Sequence, residues 1–361
     1  MRRTLTALAG AAVIASLGAC SRPEARTSER WNPAAAAAYL DRRTSWWIHW
    51  QPAARDHDTF CISCHTTLPY ALARESLGER GNARLVLENV VQRVRLWSEI
   101  GPYYKDRDAD PHKSVESRGT ESVLNALILA RRDARNGHLS DEARAALANM
   151  WTQQQTDGER AGAWPWLQFG LRPWEAADSY YYGAALAALA TATAPDDYRS
   201  APAIQSNVSR LHAYQNREYA TQPLSNRAVL LWAAAKWPEL IDSARRPALV
   251  ADLVDEQRRD GGWSLIALAN RPGGSRLRPY LAASDGYATG LATLALLEAG
   301  LPRHAPTIDR AIQWLVRNQQ QEGSWRADSL NARRNPESDV GRFMSDAATA
   351  YAVLALTRAG E

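Results

Sequence analysis

The sequence predicts an all-α protein of six helix pairs, which would form an α/α toroid or a solenoid. Short polar starts followed by runs rich in Ala and Leu recur along the chain, as expected of inner helices that are apolar on most faces. More polar, amphipathic stretches lie between them, as expected of outer helices with one apolar stripe. The period-two alternation that is typical of strands is essentially absent, so a β or α/β fold is not expected.

Each inner helix is expected to begin near an acidic or amide residue that could act as an N-cap. Successive starts are 48 to 61 residues apart, and one further step of 57 residues towards the N-terminus reaches Cys64. The segment from Cys64 is therefore expected to open the first inner helix, with Pro69 in its first turn or just past it. The later starts are Glu121, Asp178, Asn226, Asp285 and Asp346. The predicted outer helices include 30–50, 139–155, 246–257 and 307–320.

The N-terminus has the features of an export signal. Arg2 and Arg3 precede a short apolar run, which is too short to span a bilayer. The run ends in Leu17-Gly18-Ala19-Cys20, which resembles the lipobox of bacterial lipoproteins and implies a lipid anchor on Cys20. By the same resemblance, Ser21 favours a periplasm-facing site on the outer membrane over the inner one. A plain signal peptide cleaved near Ala19 is the alternative. The predicted division is a signal peptide over 1–19, a linker over 20–30 and one toroid domain over 31–361.

Composition narrows the classes of partner. The net charge of +4 arises from 43 basic and 39 acidic residues, and no basic block with interleaved aromatics is present, so no nucleic-acid partner is expected. The chain has 14 Trp and 13 Tyr but only 3 Phe. This bias favours rings whose N–H or O–H groups are used at a wet surface or a cavity wall.

The cysteines point to a cofactor. Of the three, one belongs to the lipobox, and the other two lie in Cys61-Ile62-Ser63-Cys64-His65. This is the C-x-x-C-H pattern of c-type haem attachment, in which two thiols add to the vinyl groups of one porphyrin and the following imidazole binds the iron. We therefore predict one covalent haem c, with His65 as an axial ligand of the iron.

The Cys pair has three other interpretations. A zinc site would need four ligands, and no second Cys pair or His pair completes one. A redox dithiol would normally lie in a βαβ unit, which is not predicted here. A structural disulfide across so tight a spacing is rare. The redox dithiol is the main alternative to haem.

The second axial ligand is expected from a loop just before a neighbouring inner helix. Met344 and His112 are the candidates, because they precede the predicted starts of the two adjacent repeats. Met344 could instead be a packing side chain and His112 a solvated loop residue. His57 is a third candidate, but only four residues separate it from Cys61. An open sixth position would imply ligand binding or catalysis at iron.

Two segments near the C-terminus resemble the QW motif of squalene-hopene and oxidosqualene cyclases. Residues 310–325 match the full motif, ending in Gln319, Gly323 and Trp325, and residues 257–263 match its Gln-x3-Gly-x-Trp end. A third copy, from Gln154 to Gly158 with Trp164, is stretched by an insertion. In this motif the Gly turns the chain after an outer helix, the Trp packs across the turn and the Gln amide binds exposed helix-end groups.

The resemblance implies the closed (α/α)6 toroid shared by triterpene cyclases and protein prenyltransferase β subunits. It does not imply their activities. The cyclases protonate their substrate with a D-x-D-D cluster, which this sequence lacks. The Asp, Cys and His zinc set of the prenyltransferases is also missing, since no Cys follows Cys64. Neither chemistry is expected.

Three functions are compatible with these sequence features. The first is electron transfer or ligand binding by a periplasm-facing haem c protein with a redox partner protein. The second is a haem-dependent enzyme, or a protein that binds an apolar or carbohydrate-like substrate in its central cavity. The acidic helix starts could be simple N-caps or could help to line that cavity, whose candidate residues are Asp178, Tyr180, Tyr181, Tyr182 and Asp285. The third is a scaffold in which haem is only a structural element.

Overall fold

The computed structural model describes residues 30–78, 81–100, 111–270 and 283–361, with only the backbone at 111–112. In chain order its helices are α1 (Pro33–His49), α2 (Thr67–Ala73), α3 (Ala83–Arg95), α4 (Pro111–Asn136), α5 (Asp141–Thr152), α6 (Ser179–Thr193), α7 (Gln205–Glu218), α8 (Leu224–Lys236), α9 (Arg245–Asp255), α10 (Leu265–Ala269), α11 (Gly286–Glu298), α12 (Pro306–Asn318) and α13 (Phe343–Ala359). The predicted signal peptide, Cys20 and the predicted linker up to residue 29 lie outside the described residues.

The inner helices form a closed ring. Around it, α2 packs on α4, α4 on α6, α6 on α8, α8 on α11, α11 on α13, and α13 on α2 again. The outer helices are α1, α3, α5, α7, α9 and α12, and each precedes one inner helix along the chain. The predicted all-α fold of six helix pairs is confirmed, and the closed contacts make it a toroid rather than a solenoid.

The apolar patterns explain this two-layer arrangement. Every residue of α11 from Gly286 to Leu297 is buried, as expected of a helix surrounded by others. Gly290 lies so close to α13 that a side-chain carbon there would overlap the backbone of Tyr351 and Ala352. Outer helix α12 instead buries one stripe and exposes the opposite face. None of the helices in the described ranges combines the length and apolar character that crossing a membrane requires.

The predicted N-cap role holds for only one of the acidic helix starts. The Asp285 side chain accepts a hydrogen bond from Ala288 N and caps α11. Asp178 occupies the N-cap position of α6 without making a capping bond. Glu121 lies well inside α4, where it forms a buried ion pair with Arg93, and Asp346 lies within the first turn of α13. These carboxylates are used for tertiary contacts, which the local sequence pattern does not reveal.

The QW motifs connect neighbouring repeats. In each of the three, the Trp indole donates to a carbonyl of the preceding outer helix: Trp164 to Met150, Trp263 to Leu253 and Trp325 to Leu315. The Gln amide donates both to its own turn and to the start of the next outer helix: Gln154 to Gly162 and Asn207, Gln257 to Gly261 and Thr307, and Gln319 to Gly323 and Asn32. The motif is structural, as predicted.

The hydrogen bonds of Gln319, in the last QW motif, connect the two ends of the ring. Because no seventh outer helix follows α12, Gln319 bonds to Asn32, the N-cap residue of α1, at 2.6 and 2.9 Å. The glycine assignment in the stretched motif was wrong, however. Gly162, with φ +100, takes the place that the sequence assigned to Gly158, because the insertion loops out between Gln155 and Gly162.

We predict that Gly323→Ala will destabilise the fold more than Gly300→Ala. Both glycines have φ of +98, which costs Ala about 1 kcal/mol, but only at Gly323 would the added carbon overlap a neighbour, the Ala35 carbonyl of α1. We expect the free energy of unfolding in urea to fall by about 3 kcal/mol for Gly323→Ala and about 1 kcal/mol for Gly300→Ala. Equal losses would mean that the two ends of the chain are not packed as described.

Candidate functional site

The C-x-x-C-H motif lies in a loop that is fixed from both sides. A short antiparallel hairpin of β1 (Ala54–Arg55) and β2 (Thr59–Phe60) precedes it. Cys61 N donates to Ala53 O at 2.8 Å, and the Trp47 indole of α1 donates to Cys61 O at 2.7 Å. At the other end, the Ser63 hydroxyl accepts bonds from the N–H groups of Thr66 and Thr67. As predicted, the motif opens the first inner helix, and Pro69 lies in its first turn.

The two thiols are buried and form no disulfide. Burial raises the pKa of Cys64 well above its ordinary value, and the nearby acidic groups of Glu175 and Cys61 raise it further. A redox-active dithiol needs the opposite environment, one that lowers the pKa of a thiol and exposes it. Within the described ranges, no three His, Cys, Asp or Glu side chains come together as a metal-binding group.

The hydrogen bonds around His65 define its tautomer. Thr66 Oγ1 donates to Asp346 Oδ2 at 2.9 Å and lies 2.9 Å from His65 Nδ1. Because the hydroxyl has one proton and gives it to the carboxylate, Nδ1 must carry the proton of the second bond. His65 Nε2 therefore keeps its lone pair. Burial lowers the pKa of His65 to about 3, with smaller contributions from Arg334 and Arg43, so the imidazole is neutral at physiological pH.

Aromatic rings surround His65. Phe343, the first residue of α13, stacks on the imidazole with 3.9 Å between ring centroids and 23° between planes. Trp47 meets it at a steep angle, with centroids 5.0 Å apart, and Trp174 lies 5.9 Å away. A metal binds imidazole in the ring plane, along the nitrogen lone pair, so Phe343, which is stacked on the face, does not itself block that direction. The donor set of two thiols and one Nε2 lone pair fits the attachment of haem c.

The carboxylate of Asp346 lies behind His65 and is 1 % exposed. Its Oδ1 accepts from Tyr39 OH at 3.0 Å and from Arg43 Nε at 2.8 Å, both on α1, while its Oδ2 accepts from Thr66. Arg43 also binds Asp339 through its side chain and backbone carbonyl. Although burial raises the pKa of Asp346, the Arg43 guanidinium and the three hydrogen bonds oppose that rise and stabilise the anion.

Three further aromatic residues extend from His65 across the ring. The Trp174 indole donates to Tyr287 OH at 3.2 Å, and the Tyr287 and Tyr351 rings lie 5.2 Å apart. Tyr182 adjoins Tyr351, yet its buried hydroxyl makes no hydrogen bond of ordinary length and angle within the described residues. Of this group, only Tyr182 was among the residues predicted to line the cavity. The high Trp and Tyr content of the chain was the one sequence signal for Trp174, Tyr287 and Tyr351, but composition does not indicate which rings face inward.

Three other residues of the predicted cavity are engaged in separate contacts. Tyr181 OH bonds to Gln215 O of outer helix α7, and the Arg160 guanidinium lies over the Tyr180 ring. The Asp285 side chain caps α11 by accepting a hydrogen bond from Ala288 N. The proposed wall of Asp178, Tyr180, Tyr181, Tyr182 and Asp285 is therefore not one surface, because successive residues on a helix face different directions.

The candidates for the distal ligand differ in position. Met344 is buried in the first turn of α13, directly after the Phe343 that stacks on His65. His112 belongs to the first turn of α4, but its side chain lies outside the described residues. His57 is exposed in the β1–β2 turn with φ +58, away from the buried motif. Met344 and His112 stay predictions.

Comparison with known proteins supports a cyclase-like toroid. The sequence model of the squalene-hopene cyclase C-terminal domain matches residues 233–359. This region contains the two clearest QW motifs, in agreement with the resemblance inferred from them. No curated protein matches the chain.

Solved structures of similar shape come from several enzyme classes. A polysaccharide lyase superposes with a TM-score of 0.52 at 12% identity, covering 91% of this chain and 97% of its own. A glycosidase superposes with a TM-score of 0.50 at 12% identity, covering 90% and 97%. A type II terpene cyclase from Scytonema gives a TM-score of 0.44 at 14% identity, covering 91% and 99%. At these identities the first two likenesses establish the fold alone.

We predict that Glu175 makes stability depend on pH. Burial raises its pKa to about 7 from an ordinary value of 4.5. The unfolded chain therefore loses this proton at lower pH than the folded chain, and stability should fall as pH rises from about 4.5 to 7, by on the order of 2 kcal/mol. Asp285, whose pKa burial also raises to about 7, contributes a similar fall, so Glu175→Gln should reduce the total fall in urea unfolding measured across this range without abolishing it. The exposed Glu159→Gln should keep it, and an unchanged slope in Glu175→Gln would contradict the assignment.

Proposed function

We propose that this chain is an exported c-type haem protein that transfers electrons or binds a small ligand at iron. Cys61 and Cys64 would form the thioether bonds, and His65 Nε2 would bind the iron. The observation that carries the proposal is the C-x-x-C-H loop at the start of α2, in which His65 Nδ1 is committed to Thr66 and Nε2 keeps its lone pair. A haem bound there would supply a one-electron couple in an aromatic, water-poor environment.

The surroundings of the motif support haem over a redox dithiol. The raised pKa of Cys64 keeps the thiol protonated, whereas thiol–disulfide exchange proceeds through a thiolate. Hydrogen bonds to Ala53 and Trp47 also anchor the loop at Cys61, so the thiols and the imidazole are held in a fixed arrangement. The protein's own contribution is to orient His65, to keep it neutral and to shield it from water.

Location and partners follow from the N-terminal pattern. A lipid on Cys20 would anchor the domain at the membrane surface, with the outer membrane favoured by Ser21. The linker over 20–30 would then separate the toroid from the bilayer. In this location a redox partner protein would exchange electrons with the haem. A net charge of only +4 gives no reason to expect a nucleic-acid partner.

A second candidate function uses the interior of the ring. In this function Glu175, whose pKa burial raises to about 7, would donate or accept a proton, and the buried Tyr182 hydroxyl would bind the ligand. Toroids of similar shape carry the names polysaccharide lyase and glycosidase. A carbohydrate-like or apolar substrate near the haem is therefore the alternative to electron transfer.

The proposal predicts covalent haem that depends on two of the three cysteines. The full chain, exported in a host with haem-maturation machinery, should stain for haem on a denaturing gel and gain the mass of one haem. The double variant Cys61→Ala/Cys64→Ala should lose both signals. The matched variant Cys20→Ser should keep the haem and lose only the lipid. An unstained wild-type band with unmodified thiols would rule out the proposed function.

The visible spectrum should then identify the distal ligand. If the haem is six-coordinate and low-spin, as expected for electron transfer, replacement of its distal ligand by Ala should give a high-spin spectrum that binds added cyanide or carbon monoxide. We expect this change in either Met344→Ala or His112→Ala, with the other variant unchanged. A high-spin wild-type protein would instead favour catalysis or ligand binding at iron, and Glu175→Gln would be the next variant to assay.

A further inference from the structure

We propose that Asp346 and Thr66 are positioning residues that lower the reduction potential of the iron at His65. This inference rests on the proposed function, since it concerns the axial ligand of that haem. Asp346 Oδ2 accepts the Thr66 hydroxyl proton, and Thr66 Oγ1 accepts the Nδ1 proton of His65. The Asp346–Thr66–His65 relay thus places a carboxylate two hydrogen bonds away from the ligand nitrogen.

The relay has a chemical consequence for the imidazole. A hydrogen-bond acceptor behind Nδ1 fixes the tautomer and the ring orientation and increases the electron donation of Nε2 to a bound metal. Greater donation stabilises the oxidised iron relative to the reduced iron. A neutral acceptor does this weakly, whereas a carboxylate at the end of a buried relay polarises both intervening bonds. The protons stay on Nδ1 and Oγ1 throughout, and only one electron enters or leaves the iron.

Asp346 uses different oxygens to orient His65 through Thr66 and to bind α1 where the ring closes. Oδ1 takes both contacts to α1, from Tyr39 and Arg43, while Oδ2 accepts the bond from Thr66. Arg43 has Asp339 as a second partner, and the ends of the ring are joined independently by Gln319 and Asn32. The bond from Thr66 to Oδ2 therefore adds little to closure. Its structural consequence is the orientation of His65.

The test compares three variants of the exported, haem-loaded protein. Thr66→Val has nearly the same shape but lacks the hydroxyl, so it removes the relay and leaves the Arg43–Asp346 ion pair intact. Thr66→Ser keeps the hydroxyl and should behave as the wild type. Tyr39→Phe removes a different hydrogen bond to the same carboxylate and controls for general loosening of the site. Asp346→Asn is the second variant that interrupts the relay.

Reduction potentials would be measured by spectroelectrochemical titration. We expect Thr66→Val and Asp346→Asn to favour the reduced iron about tenfold at a fixed electrode potential, a positive shift of about 59 mV for one electron. Thr66→Ser and Tyr39→Phe should stay near the wild-type potential. Haem-loaded Thr66→Val with an unchanged potential would overturn the inference, as would an equal shift in Tyr39→Phe.

A haem-independent measurement separates this inference from the proposed function. The full chain produced without haem-maturation machinery would be labelled with 15N, and NMR would show which nitrogen of His65 carries the proton. We expect Nδ1 in the wild type and a mixture of tautomers in Thr66→Val. A wild-type proton on Nε2 would overturn the relay. A wild type that takes up no haem but has the Nδ1 proton would instead refute the haem function and leave the positioning role of Thr66 and Asp346 intact.

Discussion

The two ends of the ring meet at the carboxylate of Asp346, which lies on the last inner helix and binds the first outer helix. Two residues of α1, Tyr39 and Arg43, donate to one of its oxygens, and the loop before α2 donates to the other. Removal of one partner from such a buried ion pair typically costs about 3–5 kcal/mol, because the remaining charge loses its compensation. In an open solenoid this carboxylate would have no α1 to bind. The same residue therefore joins the ends of the chain and defines the environment of His65.

The candidate site exists only because the ring is closed. The Cys61 to His65 loop belongs to the first repeat, whereas Phe343 and Asp346 belong to the last, about 280 residues later. Closure brings the start of α2 next to the start of α13, so a residue of one repeat stacks on His65 and another anchors its hydrogen-bond relay. A substitution at Gln319 or Gly323 that weakens the contact between the two ends of the ring would therefore both expose His65 and weaken the hydrogen-bond relay. Stability and the chemistry of the site are coupled at this position.

The fold and the chemistry come from different parts of the sequence. The QW ties, the apolar inner helices and the match over residues 233–359 account for a cyclase-like toroid. Structures of similar shape include a polysaccharide lyase and a glycosidase, and this likeness concerns the fold alone, because a shared fold does not imply a shared activity. The residues of this chain that bear on its chemistry are a buried Cys pair and a neutral His, which lie where the two ends of the ring meet.

The sequence by itself determined the helical repeat, the register of six inner helices and the loop that carries Cys61, Cys64 and His65, because helix periodicity and the Cys spacing are local properties. It also identified the QW glycines, except where an insertion moved the turn from Gly158 to Gly162. Tertiary structure alone decided that Glu121 and Asp346 are ion-pair partners instead of caps, and that Tyr287 and Tyr351, not Tyr180 and Tyr181, face the interior. Burial, ring direction and the partners of a carboxylate depend on contacts between residues far apart in the chain, and only closure of the ring brings those residues together.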